Sequence, residues 1–301
     1  MDDDDYTERD AHMTRDILQP FHLGKSLVRG RAARLDGVVR GVLAAHAYPR
    51  EAGLLLCEAL TLSALLAGML KFSGVFTLQA RGDGPVSLLV AQVTNDGFMR
   101  GYARFDEKAV VGRSRDLAGL MGQGDMMLAL DQGQGGERYQ GVVALEGGSL
   151  ADCARGYFAK SEQVDTDFKM AVSDDGGDIR AGGIMIQRMP REGGVLVPGT
   201  DPAEDWRRVC ILLQTAKPEE ILSDVHSPAE LAFRLFHEED ITFHPELSLA
   251  ARCRCSREKV LSMLKALSAK ERPEADASGR VSVTCEFCGT TYFFTKEEAS
   301  S

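Results

Sequence analysis

The stretch Val75-Phe-Thr-Leu-Gln-Ala-Arg-Gly-Asp-Gly-Pro85-Val-Ser-Leu-Leu-Val-Ala-Gln-Val-Thr-Asn95-Asp-Gly-Phe-Met-Arg-Gly-Tyr-Ala-Arg-Phe105 decides the fold class. Apolar residues recur at every second position, the period of a strand with one buried face. Val75 to Ala80 reads as a strand, Arg81 to Pro85 as a turn and Val86 to Val93 as its return. Asn95-Asp-Gly97 turns the chain again, and Phe98 to Phe105 runs back. Further along, Met126 to Leu130 and Tyr139 to Leu145 flank a Gly-rich Gln132 to Gly136 in the same manner, so the pattern predicts an antiparallel meander.

The flanks change period. Upstream, Leu55, Leu56, Ala59, Leu62, Leu66 and Leu70 recur at helical spacing and predict a helix over Pro49 to Phe72. It is apolar on nearly every side, which marks a helix buried within the domain, with Cys57 as a packed core thiol. Ser26 to Val42 reads as a strand passing into a helix, and the acidic residues 1–15 as a tail. Downstream, Tyr157 to Gln163 is expected to close a helix, and Asp167 to Val172 and Gly182 to Met189 to form two strands across an Asp174 to Asp178 turn. The expected class is α+β: a mixed α/β domain with an antiparallel sheet over 1–190, a helical linker over 191–248 and a small C-terminal module over 249–301.

In the linker, Arg191-Glu-Gly-Gly194 reads as a hinge. Asp201-Pro202 supplies an N-cap with proline at N1, ahead of Trp206, Val209, Cys210 and Leu213 on one face. Lys217-Pro218 restarts the chain, and Ser227-Pro-Ala-Glu230 is a capping box before Leu231 and Leu235. Helices this short are marginal in water, so their stability must come from docking.

The C-terminal module carries Cys253-Arg-Cys255 and Cys285-Glu-Phe-Cys288, two close thiol pairs joined by a longer loop. Each pair offers two corners of a tetrahedral Zn²⁺ site. The single residue inside the first pair departs from the commoner Cys-x2-Cys spacing. Val281-Ser-Val-Thr before the second pair and Thr290 to Phe294 after Gly289 suggest strands meeting at the metal. Ser256 is placed to N-cap a helix carrying Glu258 in its first turn and Val260, Leu264 and Leu267 on one face. Free thiols and secretory disulfides are the alternatives, and paired cysteines without a signal segment favour metal.

A net charge of −10 and a pI near 5.2 argue against a nucleic-acid partner. From Glu246 onward nine Lys or Arg face eight Asp or Glu, so four metal-bound thiolates would leave the module negative. The first residues lack an apolar run, and Ala59 to Leu70 is too short for a bilayer, so a cytoplasmic protein without a membrane partner is expected. Gly24-Lys25-Ser26 lacks the rest of a phosphate loop, and Gly82-Asp-Gly84 lacks the third glycine and helix of a dinucleotide site. His237-Glu-Glu-Asp240, with His244 nearby, reads as a solvated helix end rather than a metal site. Ser161 sits in no nucleophile elbow, and Cys153 and Cys210 read as packed core thiols. Four Cys ligands leave no open position for catalysis, and a Cys-x-x-Cys between strands is not the helix-start pair of a thiol oxidoreductase, so no enzyme is expected.

These residues resemble the bacterial thirty-three-kilodalton redox-regulated chaperone family. Beside the cysteines, the likeness rests on Leu70-Lys-Phe72, Gln79-Ala-Arg-Gly-Asp-Gly-Pro85, Arg138-Tyr-Gln-Gly-Val-Val143, Tyr157-Phe-x-x-Ser-Glu-Gln163, Ala181-Gly-Gly183 and Phe236-His-Glu-Glu239. Order and spacing fit from about residue 25 to 295; Ser268 to Gly279 is more polar than the family's usual helix-bearing stretch. The resemblance implies an ATP-independent holdase for unfolding clients, dormant when reduced with one Zn²⁺ on Cys253, Cys255, Cys285 and Cys288. It further implies activation by oxidants, often with heat, with disulfides Cys253–Cys255 and Cys285–Cys288 and a dimeric active form. The expectation is that the zinc module holds the linker helices, and that its loosening bares Trp206, Val209, Leu213, Leu231, Leu235 and Phe236. A constitutive structural zinc ribbon in an interaction protein is the rival, and it predicts no redox response.

Overall fold

The computed structural model describes residues 16–68, 74–114, 116–132, 138–175, 177–189, 201–267 and 278–300, with 273 and 276. The acidic start and the Arg191–Gly194 hinge lie outside these, as do the end of the expected helix at 69–72 and most of 268–279. β1 (Ile17–Leu23) and β2 (Val28–Arg34) form a hairpin, followed by α1 (Asp36–Leu43) and α2 (Arg50–Ala67). The Asp16 carboxylate accepts from the Gly37 and Val38 amides and so caps α1. The meander follows as β3 (Val75–Gly82), β4 (Val86–Thr94) and β5 (Phe98–Phe105). Two short helices, α3 (Glu107–Val110) and α4 (Leu117–Met121), lead to β6 (Gly124–Asp131) and β7 (Arg138–Ala144). Then come α5 (Leu150–Tyr157), a π turn at Phe158–Glu162 that ends on Gln163 at φ 54°, and the hairpin β8 (Thr166–Asp175) and β9 (Asp178–Arg188).

Two sheets enclose the core. The quoted stretch lies in a sheet of order β5-β4-β3-β6-β7, antiparallel throughout as its alternation requires. The other runs β1-β2-β9-β8. α2 lies between them and packs on strands of both, which explains why its apolar residues cover every face. Leu56, Leu60, Leu62 and Leu65 are fully buried there. Cys57 and Cys153 belong to this core, and burial pushes their thiols up to about 12 and about 11.

The linker helices α6 (Pro202–Gln214), α7 (Pro218–Ile221) and α8 (Pro228–Phe236) cover the outer face of the second sheet. Val209, Leu213, Ile221, Leu231 and Phe236 form a second apolar cluster with Phe21, Leu23, Val28, Ile184 and Ile186. Asp201 caps α6 and Ser227–Glu230 forms the capping box of α8, as their sequences predict. β9 is buried on both faces from Ala181 to Gln187 because helices pack on either side of it.

Three short strands follow. β10 (Ile241–Phe243) and β11 (Leu247–Ser248) pair with β1, and β12 (Ala250–Ala251) pairs in parallel with β5. The chain from α8 to the first cysteine pair is thus laced along the edges of both sheets. The Gly24 and Lys25 amides bond to the carbonyls of Asp240 and Glu239 on this path, so Gly24-Lys25-Ser26 serves a strand junction. Glu239 departs from the expected solvated helix end: it is buried and takes two hydrogen bonds from Arg208 of α6, at 2.7 and 3.0 Å.

Candidate metal centre

The C-terminal module is small. Among the described residues, α9 (Arg257–Ala266), the hairpin β13 (Arg280–Thr284) and β14 (Thr291–Thr295), and α10 (Lys296–Ser300) share only Val260, Leu264, Val281, Phe294 and Ala299 as buried apolar residues. A segment this size buries too little surface to hold itself together without a staple. The Ser256 hydroxyl accepts from the Lys259 amide and caps α9 immediately after the first cysteine pair. The second pair lies in the hairpin turn, where the Gly289 amide bonds back to the Cys285 carbonyl (2.9 Å) and Cys285 N to Thr290 O (2.9 Å). Gly289 stands at φ 69°, left-handed backbone that a side chain would strain.

These turns bring all four cysteines together. The Sγ atoms of Cys253, Cys255, Cys285 and Cys288 lie within 4.8 Å of one another. Across the two pairs, Cys253 Sγ lies 3.7 Å from Cys285 Sγ and Cys255 Sγ 3.4 Å from Cys288 Sγ. A tetrahedral ion with metal–sulfur bonds of about 2.3 Å sets its sulfurs about 3.8 Å apart, so the cluster has the size and the donor set that a Zn²⁺ ion takes. These separations are far too long for disulfide bonds. Tyr292 Oη donates to Cys255 Sγ (3.2 Å), and Thr290 Oγ1 lies 3.3 Å from Cys288 Sγ.

The thiols differ electrically. Burial raises Cys255 to about 12, and the neighbouring thiols add to the rise. Burial likewise raises Cys285. At Cys253 burial is outweighed by hydrogen bonds from the Cys255 amide, the neighbouring thiols and Arg100, and the thiol falls to about 7. Four thiolates this close repel one another, and a divalent cation at their centre removes that obstacle. Four sulfurs complete a tetrahedron and leave no position for substrate.

The cluster faces the core. His46 Nε2, just beyond α1, donates to the Glu286 carbonyl (2.6 Å), and Arg100 of β5 lies over the Phe287 ring at 3.9 Å. Arg254, between the first two cysteines, donates to Gln92 Oε1 of β4 (2.8 Å). None of these core partners is singled out by sequence spacing. Only the placement of Arg254 between two metal-type cysteines hints at them.

Fold and site together define an α+β protein carrying a C-terminal four-cysteine cluster at metal-ligand spacing. The chain belongs to the Hsp33 protein family, whose model matches residues 16–295. It is 37% identical over 293 residues to the 33 kDa chaperonin of Caulobacter vibrioides, covering 94% of this chain and 96% of that one. It is 34% identical over 283 residues to the 33 kDa chaperonin of Shewanella denitrificans, covering 94% and 93%. The solved structure of the 33 kDa chaperonin (heat shock protein 33 homolog) of Thermotoga maritima superposes with a TM-score of 0.79 at 27% identity, covering 95% of this chain and 97% of that one. No helix among the described residues is long and apolar enough to cross a membrane.

Proposed function

We propose that this protein is a redox-regulated, ATP-independent holdase of the cytoplasm that protects unfolding proteins during oxidative and heat stress. One observation carries the reading. The four thiols that would respond to an oxidant sit in one cluster, on the same laced chain that leads back to the helices masking an apolar sheet face. To that function we assign a core over 1–190, a releasable linker over 191–248 and a switch module over 249–301.

Zn²⁺ held by Cys253, Cys255, Cys285 and Cys288 would supply a cross-link worth on the order of 10–16 kcal/mol to folding of the module. Two thiolates of one pair give two electrons to a peroxide, which takes up two protons and leaves as two waters. The second pair repeats the reaction with a second peroxide. Sulfurs bonded to each other no longer serve as anionic ligands. Disulfides within each pair close very short loops and constrain the chain little. The tie between residues 253–255 and 285–288 is therefore lost, and the small module loosens. Its anchorage of the β10–β12 path weakens with it, and α6–α8 are left to their own marginal stability. Their release bares Val209, Leu213, Leu231 and Phe236 together with Phe21, Val28 and Ile184 beneath them. That is apolar area an unfolding client can cover, while the acidic surface keeps the loaded complex soluble. Two opened chains can share the same surface, so the oxidised, active form is expected to be a dimer. The disulfide stage is reversible, so reductant resets the switch.

The test compares reduced, zinc-loaded protein with peroxide-treated protein at mild heat. Suppression of client aggregation is followed beside zinc content and free thiols. The expected result is activity only after zinc loss and the disappearance of four thiols. Equal activity in both forms with zinc retained would assign the cluster to a constitutive structural ribbon.

A further inference from the structure

The seam between module and core holds two guanidinium groups side by side. Gln92 Oε1 accepts from Arg100 Nε of β5 (2.8 Å) and from Arg254 Nη2 of the module (2.8 Å). One carbonyl oxygen therefore holds a cation of the core against a cation of the module. Like charges at such separation repel, and a seam does not gain from that pairing unless an anion lies beside it. The anion is the cluster: Arg100 Nη1 is 3.9 Å from Cys253 Sγ, and its guanidinium lies over the Phe287 ring inside the second pair. Asp131 also acts on Arg254 from β6. The Arg104–Glu286 pair crosses the same seam at 3.6 Å, but both side chains are more than half exposed and add little.

We propose that Arg100 is a positioning residue that, with Arg254, reads the charge of the four-cysteine cluster and so sets whether the module stays docked on the core. The inference rests on the redox reading above and adds the device that transmits it. Four thiolate charges against two on the cation leave the reduced cluster doubly negative. Two disulfides without metal carry no charge. Oxidation by peroxide, balanced as above, therefore removes the anion that holds Arg100 and Arg254 together. What remains between these two guanidinium groups is repulsion, offset in part by Asp131, while the β12 pairing and the His46–Glu286 bond still cross the seam. The seam opens by loss of attraction at the β5 edge, before and apart from any unfolding of the module's own hairpin. β12 lies in this seam, so the signal enters the laced path at its C-terminal end.

The experiment uses full-length, zinc-loaded protein and reads hydrogen exchange at the Ala250 and Arg252 amides. These donate to Gly97 O (3.0 Å) and Met99 O (2.8 Å), and they report docking directly. The Cys285 amide, bonded to Thr290 O, reports the module's own fold. In the reduced state Arg100→Gln is expected to speed exchange at Ala250 and Arg252 roughly five- to tenfold at low salt, with zinc content and Cys285 protection unchanged. Arg100→Lys should restore part of the protection, and added salt should shrink the difference between wild type and Arg100→Gln. In the oxidised protein Arg100→Gln should exchange no faster than wild type, because it removes one partner of a repelling pair. Unchanged protection in reduced Arg100→Gln overturns the proposal. So does a loss that salt does not reduce and lysine does not rescue, which would mark Arg100 as a packing contact. Wild type that binds zinc and switches while Arg100→Gln behaves in either of those ways sinks only this inference. Wild type that binds no zinc sinks the redox reading with it.

Discussion

Phe236 of α8 stacks on Phe21 of β1 with ring centroids 5.8 Å apart, and both are fully buried. The space beneath exists because Gly30 lies opposite Phe21 in the β1–β2 register, where a Cβ would come within 2.1 Å of the ring. This stack joins the linker to the face it masks. Phe236→Ala should remove about 3–5 kcal/mol of packing. Most of that loss should fall on linker docking, so the reduced, zinc-loaded variant should suppress client aggregation without oxidant. Light scattering of a heat-unfolded client checks this. A variant as dormant as wild type would mean that docking does not mask the active surface.

Arg208 and Glu239 pin α6 to the end of α8 in the same region. Arg208 holds the Glu239 carboxyl below its usual range. A depressed pKa gives stability that is present above the unfolded value and lost as pH falls through the folded one. Glu239→Gln should cost about 1–3 kcal/mol at neutral pH, toward the low end because Arg208 is partly exposed. The cost should shrink as pH falls below the ordinary glutamate range and vanish once the depressed folded value is passed. Denaturant titrations of both proteins at neutral and acid pH measure it.

Glu58 carries the opposite sign. It lies on α2 and accepts from the Leu150 amide at the start of α5, and burial pushes its carboxyl up to about 7. Between about pH 4.3 and the folded value, the native state keeps a proton that the unfolded chain gives up. Stability from this group therefore falls as pH rises through that interval. Glu58→Gln keeps the acceptor and removes the ionisation. Its Tm should gain on wild type as the pH is raised from ~5 to ~8. Parallel Tm profiles would show that Glu58 ionises freely in the fold.

The seven cysteines should separate into two groups under oxidant. Cys57 and Cys153 are buried and Cys210 half-buried, and none of the three belongs to the four-sulfur cluster, where a bound cation would hold the sulfurs as thiolates. Peroxide should consume the four cluster thiols and spare these three. Peptide mapping should find Cys253–Cys255 and Cys285–Cys288, since closure of a freed chain favours short loops. In the reduced cluster sulfurs of opposite pairs already lie 3.4 and 3.7 Å apart, so the map discriminates. Bonds from Cys253 to Cys285 and from Cys255 to Cys288 would preserve the long-range tie and argue against loosening.

The architecture was legible wherever one face of an element is wet and the other dry. β3 to β7 alternate for that reason, and α6 and α8 announced themselves through caps and proline. β1 was not anticipated, because Gln19-Pro20 interrupts its apolar pattern and its pairing extends to a distant segment. β10, β11 and β12 are too short to show any period. The cysteine cluster was readable because ligand chemistry is local to each pair. Glu239 looked like a solvated helix end because nothing near it in sequence reveals Arg208. The contacts of Arg100, Gln92 and His46 with the module are tertiary, and a charged residue in an alternating strand ordinarily faces water.

The central claim is that oxidation of the cluster frees α6–α8 from the sheet beneath them. Hydrogen exchange of the reduced and peroxide-oxidised full-length protein tests it most directly. The account predicts that protection is lost across 202–236 and at the β10–β12 amides once zinc has left, while α2 and the β3–β6 strands keep theirs. Full protection of 202–236 in a zinc-free, disulfide-bonded and active protein would contradict it.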